Sequence, residues 1–294
     1  MKIFSKNKNK FLFLVLIILI IVTILFSAAN HKRNVILQEA ENKKIELQNI
    51  ITSVPVEAKA VSIYDLTDNR KIYGKNDTLA MPLASLTKTM TIIVVLNNHN
   101  SDDIVSLSSE AIKQNGDAGF KSDEKWKVGD LAKATLVGSL NDGAYSLAEN
   151  VPNFLYKMRE EASLIGMKNA IFMNPAGLDL DVGNNKAGAY ATAEGANQMA
   201  IFAFKTYPEI FGATILPELN LKSESGFTHD IKNTNIIIGQ IPNLLFSKTG
   251  FTDLAGGNLT IVFKNKNDHK IAITVLGSTL AGRFSDMQKL INVL

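Results

Sequence analysis

Pro82-Leu83-Ala84-Ser85-Leu86-Thr87-Lys88 stands at the predicted start of a helix that runs to Leu96. Helix residues three apart share a face, so Lys88 can reach the hydroxyl of Ser85. A lysine acts as a general base towards such a hydroxyl when burial and a neighbouring cation lower its pKa. Backbone N–H groups at a helix N-terminus can also stabilise a developing oxyanion. This stretch therefore predicts a serine nucleophile paired with a lysine.

Two further short motifs follow along the chain. Ser139-Leu140-Asn141 offers a hydroxyl and a carboxamide between two predicted helical segments, although this tripeptide alone is more typical of an ordinary turn. Lys248-Thr249-Gly250 ends a predicted strand, where the lysine supplies a second cation and the glycine permits close approach of a ligand. Chance would give Lys-Thr-Gly about 0.1 times in this composition, whereas Ser-x-x-Lys is expected about 1.7 times and also occurs at Ser5 and Ser122.

The order and spacing of these motifs carry a resemblance. Ser85, Ser139 and Lys248 lie 54 and then 109 residues apart. Ser-x-x-Lys, Ser-x-Asn and Lys-Thr-Gly in this order resemble the serine penicillin-binding proteins and β-lactamases. The finer resemblance is to the low-molecular-weight D-alanyl-D-alanine carboxypeptidases. It covers about residues 55–290 and includes Asn174-Pro175-Ala176-Gly177-Leu178-Asp179 and Asp253-Leu254-Ala255-Gly256-Gly257.

The resemblance implies roles for the motif residues. Ser85 is the expected acylated nucleophile, Lys88 its base, and Ser139 a relay that passes a proton to the leaving amine. The backbone N–H groups of Ser85 and Phe251 are the expected oxyanion hole. The remaining side chains and backbone are expected to bind substrate: Asn141, Lys248, Thr249, Gly250, Phe251 and Arg283. Among these, Arg283 stands where family members use an arginine for the substrate carboxylate, since guanidinium groups suit that contact; its other interpretation is a surface arginine at a helix end.

The resemblance also implies partners. A peptidoglycan stem peptide ending in D-Ala-D-Ala is the expected substrate, and β-lactams, which mimic that dipeptide, are expected to acylate Ser85. No cofactor and no metal are expected. Three departures accompany it: Ser247 replaces the usual glycine, Leu140 is bulkier than the common residue, and the chain is expected to lack the C-terminal β domain of many such enzymes. The serine at 247 would narrow the groove or add a hydrogen bond.

Two alternatives share the motifs. A class A β-lactamase needs a glutamate that activates the deacylating water, and Glu161, only 22 residues after Ser139, lacks the accompanying asparagine. A catalytically inactive, membrane-anchored binding homologue is the other alternative, since fold alone does not give function. Such a homologue would be expected to lose Lys88 or Lys248, and both are present.

The N-terminal region is predicted to contain a membrane-spanning segment. Residues 11–29 carry no charge, and nineteen residues at about 1.5 Å each give roughly 28 Å, close to the bilayer core. Four lysines at positions 2, 6, 8 and 10 precede the segment and predict a cytoplasmic N-terminus with the rest outside. A cleavable signal peptide is the alternative, but the apolar run is longer than is usual there. The predicted division is 1–29 basic head and anchor, 30–53 polar helical stalk, and 54–294 catalytic domain.

The predicted fold class is α+β. Strands are predicted over 58–64 and 71–74 near one end and over 244–249, 258–264 and 270–277 near the other, with mostly helical segments over 101–205 and a final helix over 284–293. Strands that flank a helical middle favour one antiparallel sheet with a helical lobe beside it. With the resemblance, this is a β-lactamase/transpeptidase-like architecture preceded by one transmembrane helix.

Composition excludes several other classes. The chain of 294 residues has a net charge of +3, which argues against a nucleic-acid binder. It contains no cysteine, which excludes a catalytic thiol, a disulfide scaffold and a thiolate metal site. The four histidines (31, 99, 229 and 269) show no zinc or triad pattern and are predicted to be surface or turn residues. Trp126 is predicted to anchor a loop.

Overall fold

The computed structural model describes residues 3–114 and 119–294. Lys2 lies outside the described residues, as do the side chains of Lys6 and Lys8. The chain divides into two units, residues 1–52 and 53–294. Helix α1 (Ile3–Ser53) makes up the described part of the first unit, so the predicted apolar segment and polar stalk form one continuous helix. Among the described residues, α1 alone is long and apolar enough to cross a membrane.

The second unit begins with strands and continues through a largely helical region. Its first elements are β1 (Ala60–Asp65), β2 (Arg70–Lys75), β3 (Met81–Pro82), α2 (Thr87–Leu96), β4 (Ile104–Ser106), β5 (Lys125–Lys127), α3 (Val128–Val137), α4 (Asn141–Glu149) and α5 (Phe154–Ile165). There follow β6 (Ile171–Phe172), β7 (Ala189–Ala191), α6 (Ala193–Thr206), α7 (Pro208–Phe211), β8 (Glu218–Lys222), β9 (Thr228–Lys232), β10 (Leu244–Thr252), β11 (Gly256–Lys264), β12 (Lys270–Ser278) and α8 (Gly282–Asn292).

A five-stranded antiparallel sheet joins the two ends of this unit. Its strand order is β10-β11-β12-β1-β2, and β1 pairs with β12 so that Ala60 lies opposite Leu276. Strands β11 and β12 are buried along nearly their whole length, because both faces of the sheet are covered. Helix α6 lies on the sheet, where Asn197 donates a hydrogen bond to the Ser62 carbonyl over 3.0 Å. The predicted α+β architecture with one antiparallel sheet is confirmed.

Strand β11 also fixes the segment that precedes Ser85. Asn258, on β11, is fully buried, and its side-chain amide donates to the carbonyls of Pro82 and Leu83, each over 3.0 Å. Its carbonyl oxygen accepts from the N–H of Gly277 on β12 over 2.8 Å. A buried amide satisfied on both sides is costly to displace, so the sheet holds the chain just before Ser85.

Some predicted elements differ from the structure. Helix α2 begins at Thr87, and Ser85 lies on a separate 3₁₀ turn over Ala84–Leu86. The hairpin of β8 and β9 was not predicted, although Glu218-Leu219-Asn220-Leu221-Lys222 alternates polar and apolar residues as strands do. The described part of the region 101–205 also contains four short strands, β4 to β7. They were not predicted, because such brief pairings leave little periodic signal in the sequence.

Two predictions of exposed or loop positions were wrong. His229 is buried, and its Nε2 lies 2.8 Å from Oε1 of the fully buried Glu124. Trp126 is not a loop anchor, since it lies within β5 and is fully buried. It packs against Phe120 and His229, with ring centroids 5.4 and 5.3 Å apart. Neither burial could be predicted locally, because His229 lies about a hundred residues from Glu124 and Trp126, on a hairpin that was itself not predicted.

Candidate active site

Ser85 lies on a tightly crowded turn. Ala84, the residue before it, has a φ of 49°, a left-handed conformation that costs energy for a residue with a side chain. Thr87 donates from Oγ1 to the Ala84 carbonyl over 2.7 Å. Gly177 approaches the same turn so closely that an added Cβ would lie 2.0 Å from the Ala84 oxygen. Neighbouring segments therefore impose the backbone conformation at Ser85.

Lys88 is enclosed by hydrogen-bond partners. Its Nζ lies 2.8 Å from Oγ of Ser85, 2.7 Å from Oδ1 of Asn141 and 3.1 Å from the carbonyl of Ala176. The side chain is fully buried. Burial lowers the pKa of Lys88 to about 7, although the negative charge of Asp142 opposes the shift. A substantial share of these amines is therefore neutral at neutral pH and able to accept a proton.

The carbonyl that accepts from Lys88 is held by its own loop. Oδ1 of Asn174 accepts from the N–H groups of Ala176, Gly177 and Leu178 over 3.1, 2.6 and 3.2 Å. This carboxamide fixes the turn that aims the Ala176 carbonyl at the lysine. Residues 174–179 belong to the family resemblance, but nothing in their sequence indicated that the Ala176 carbonyl would contact Lys88.

The Ser139 motif lies between α3 and α4. Ser139 has a φ of 58°, again left-handed, and α4 begins at Asn141. Oγ of Ser139 accepts a hydrogen bond from Nζ of Lys248 over 2.9 Å, while Asn141 faces Lys88. The tight turn thus presents its hydroxyl to one lysine and its carboxamide to the other.

Lys248 provides the second buried amine. It lies on β10, is almost fully buried, and also donates to the Thr249 carbonyl over 2.9 Å. Burial, together with the positive charges of Lys88 and Arg283, holds the pKa of Lys248 well below 10.5. An anion bound beside Lys248 would favour its charged form. The hydroxyl of Thr249 lies 2.6 Å from that of Thr234, which belongs to none of the three motifs.

The end of β10 lies against the turn that carries Ser85, the predicted nucleophile. A Cβ added to Gly250 would lie 2.9 Å from the Leu83 carbonyl and 3.2 Å from the Ser85 nitrogen, so glycine is required for this approach. The Phe251 side chain is exposed. Its backbone follows Gly250 directly, so the two predicted oxyanion donors, the N–H groups of Ser85 and Phe251, belong to adjoining segments.

The Arg283 side chain contacts the backbone of the site. It lies near the start of α8, is buried, and donates from Nη1 to the Gly250 carbonyl over 2.7 Å. Burial lowers its pKa to about 10. The interpretation of Arg283 as a surface residue was wrong. The structure places its charge near Lys248 and its side-chain hydrogen bond on the backbone of β10.

Ser247 adds a hydrogen bond, one of the two consequences predicted for this departure from the family pattern. Its Oγ accepts from the side-chain amide of Asn235 over 2.9 Å, and its N–H donates to Oγ1 of Thr214 over 3.0 Å. The side chain is buried, so it faces the protein interior.

The chain is similar in sequence to known proteins. The family model described as D-alanyl-D-alanine carboxypeptidase matches residues 44–279. The chain is 28% identical over 246 residues to the D-alanyl-D-alanine carboxypeptidase DacF of Bacillus subtilis, covering 80% of this chain and 61% of that protein. It is 29% identical over 203 residues to a D-alanyl-D-alanine endopeptidase of Pseudomonas aeruginosa, covering 66% and 63%. The chain thus spans less than two thirds of either relative.

A solved structure gives a similar result. Penicillin-binding protein D2 of Listeria monocytogenes, determined in its ampicillin-bound form, superposes with a TM-score of 0.69 at 28% identity. The match covers 82% of this chain and 98% of that one.

Proposed function

The chain belongs to the D-alanyl-D-alanine carboxypeptidase family, and from this premise we propose that it is a serine peptidase that removes the terminal D-alanine from peptidoglycan stem peptides. The observation that carries the proposal is the buried Lys88 amine, 2.8 Å from the hydroxyl of Ser85 and with a pKa of about 7. A neutral amine at this distance is a competent general base.

Acylation follows from these positions. Lys88 takes the proton of Ser85, and Oγ attacks the carbonyl carbon of the penultimate D-alanine. The carbonyl oxygen gains negative charge, which the N–H groups of Ser85 and Phe251 stabilise. The C–N bond then breaks, and the proton taken by Lys88 reaches the leaving amine through Ser139. This leaves free D-alanine and an ester on Ser85.

Deacylation repeats the proton transfers with water. Lys88 takes a proton from a water molecule, the hydroxide attacks the ester carbonyl, and the proton returns to Oγ of Ser85. Asn141 orients the substrate amide and holds Nζ of Lys88 over 2.7 Å. Acylation and deacylation therefore both use Lys88 as the base.

The substrate carboxylate is expected to bind at the end of β10. Lys248 and Thr249 provide a cation and a hydroxyl there, and Gly250 leaves room for the ligand backbone. Arg283 adds a positive charge while holding the Gly250 carbonyl over 2.7 Å. A carboxylate favours sites with several donors and positive charge, which supports recognition of a free C-terminus.

The N-terminal segment is proposed to act as a membrane anchor. Residues 11–29 lie in an apolar helix of sufficient length, and the preceding lysines favour a cytoplasmic N-terminus. The catalytic unit would then face the cell wall, where its substrate is found. A cleaved signal peptide would place the same unit outside the membrane.

The position of Glu161 argues against the β-lactamase alternative. Its carboxylate accepts from Asn97 over 2.8 Å at the C-terminal end of α2. Lys88 lies in the first turn of that helix, about 13 Å away along the axis for nine residues. Glu161 is therefore too far from Ser85 to activate a deacylating water.

Labelling and product analysis test the proposal. The full chain is treated with a fluorescent penicillin, and Ser85→Ala is compared with Ser122→Ala, which alters the same Ser-x-x-Lys spacing outside the site. We expect label on the unsubstituted protein and on Ser122→Ala only. Mass spectrometry of a purified pentapeptide muropeptide is expected to show loss of one alanine. Label that persists in Ser85→Ala, or no product and no label at all, would refute the mechanism.

A further inference from the structure

The hydroxyl of Thr234 forms a pair with that of Thr249. The two Oγ1 atoms lie 2.6 Å apart, a normal O–H···O distance. Each hydroxyl has one proton, so only one of them donates within the pair. If Thr249 donated to Thr234, it would have no proton left for a bound anion. The direction of this hydrogen bond therefore decides what Thr249 can offer to a ligand.

The backbone of Thr234 is fixed between the two motif segments. Its N–H donates to the carbonyl of Val137 over 3.2 Å, at the end of α3 and two residues before Ser139. The preceding Asn233 donates from its side chain to the carbonyls of Thr214 and Leu216, each over 2.8 Å. Thr234 thus bridges the segment that ends at Ser139 and the strand that carries Thr249.

Ser247, on β10, is hydrogen-bonded to Asn235, the residue that follows Thr234. Its Oγ accepts from the buried Asn235, whose Oδ1 in turn accepts from the N–H of Ile237 over 3.2 Å. The hydroxyl at position 247, where the family resemblance predicts glycine, therefore ties the residue next to Thr234 onto β10.

We propose that Thr234 is a substrate-positioning residue: its hydroxyl donates to Thr249, so that the Thr249 proton is directed to the C-terminal carboxylate of the substrate. The inference rests on the proposed carboxypeptidase function. A carboxylate accepts hydrogen bonds and offers none, so a bound substrate selects this orientation of the pair. Thr234 acts through Thr249, and the Asn235–Ser247 hydrogen bond keeps it within reach.

The test compares a substrate that has the carboxylate with one that lacks it. An N-acyl-D-alanyl thioglycolate and its methyl ester both release a thiol, and kcat/KM is measured for each. Thr234→Val is expected to lower kcat/KM for the acid about tenfold, the effect of losing a hydrogen bond to a charged group. The value of kcat/KM for the ester is expected to change less than about twofold. Thr234→Ser is expected to restore kcat/KM for the acid. Thr228→Val, at the start of β9 and six residues before Thr234, is expected to leave kcat/KM unchanged for both substrates.

A second variant, Ser247→Gly, tests the position of the Thr234 hydroxyl indirectly. Ser247→Gly removes the acceptor of Asn235 and is expected to lower the acid-to-ester ratio about threefold, within the range of one neutral hydrogen bond. It carries the test if Thr234→Val fails to fold, as judged by its melting temperature.

The outcomes separate the two proposals. An unchanged acid-to-ester ratio in Thr234→Val, or in Ser247→Gly where the first variant does not fold, would overturn the positioning role. Equal loss for acid and ester would also overturn it, since a general distortion of the site affects both. An unsubstituted protein that releases no thiol and takes no penicillin label would instead overturn the proposed function, and the positioning role with it.

Discussion

Titration of Lys88 is expected to control the rate of acylation. With a pKa of about 7, about half of the Lys88 side chains are neutral at pH 7, whereas an ordinary lysine would be neutral in only about 0.03% of molecules. Burial therefore raises the fraction of the basic form by more than about 1000-fold. Between pH 7 and pH 5 that fraction falls to about 1%, so the rate should fall roughly 50-fold.

The second-order rate constant for acylation by a fluorescent penicillin measures this dependence. Time courses are followed from pH 5 to pH 9, a range in which the penicillin carboxylate stays ionised. We expect the rate constant to rise with pH, with a midpoint near 7, and to level off above about pH 8. The full chain is used throughout, and melting temperatures at each pH check that the protein stays folded.

Asp142→Asn perturbs the same titration in a known direction. The Asp142 charge raises the pKa of Lys88 against the effect of burial, so its removal is expected to move the midpoint to lower pH. Asp130→Asn is the matched control, because Asp130 also lies in the first turn of a helix, α3, next to the site segment. It is expected to leave the midpoint unchanged.

Three results would refute this reasoning. A rate constant independent of pH between 5 and 9 would exclude Lys88 as the titrating base. A midpoint near that of an ordinary lysine would show that burial does not control its pKa. A shift to higher pH in Asp142→Asn would contradict the assigned direction of the charge effect.

Three further predictions concern the relay, the backbone at the site and the stability of the fold. Ser139→Ala is expected to slow acylation by about 100-fold with little change in melting temperature, because a proton relay contributes in that range; an unchanged labelling time course would contradict the relay. Gly177→Ala places a Cβ 2.0 Å from a backbone oxygen at a φ of +76°, whereas a Cβ at Gly183 meets nothing closer than 3.4 Å. The first variant should cost about 3 kcal/mol of unfolding free energy by urea titration and Gly183→Ala less than about 1 kcal/mol; similar costs would contradict the crowding. His269 lies 2.8 Å from the buried Asp65, and this hydrogen bond raises the pKa of His269. The hydrogen bond therefore stabilises the fold below pH 6.5, the ordinary pKa of histidine, and this stabilisation is lost as the pH rises through the raised pKa of His269. Burial raises the pKa of Asp65, but hydrogen bonds from His269 and from backbone N–H groups outweigh it, so the net shift is downward. The Asp65 carboxylate therefore stabilises the fold above its ordinary pKa of 3.8, and this stabilisation is lost as the pH falls through the lowered pKa. His269→Gln should therefore lower the melting temperature more at pH 5 than at pH 9; an equal loss at both would contradict the pairing.

Much of the fold was predictable because its strands are periodic or strongly apolar. Residues 258–264 and 270–277 were predicted as strands within one residue or two of their observed bounds. The hairpin of β8 and β9 was missed, since its alternating pattern is short and half exposed. The turn at Ser85 was predicted as helix because Gly177 and Gly250, which crowd it, lie about 90 and 165 residues away.

The sequence by itself determined which chemical groups are present: a serine and lysine three residues apart, a hydroxyl and carboxamide on a turn, and a second lysine at the end of a strand. Their order along the chain was enough to identify the family resemblance. Spacing along a chain reports only local geometry, however, so it could not show which carbonyl meets Lys88 or which hydroxyl meets Thr249.

Only the tertiary structure decided how these groups behave. The low pKa of Lys88 depends on burial by segments that are distant in sequence, among them the loop that brings the Ala176 carbonyl to 3.1 Å. The pairing of Thr249 with Thr234 depends on a loop that Ser247 holds against β10. Desolvation and hydrogen-bond direction are properties of an enclosed volume, and that volume exists only once the sheet and the helical lobe have packed together.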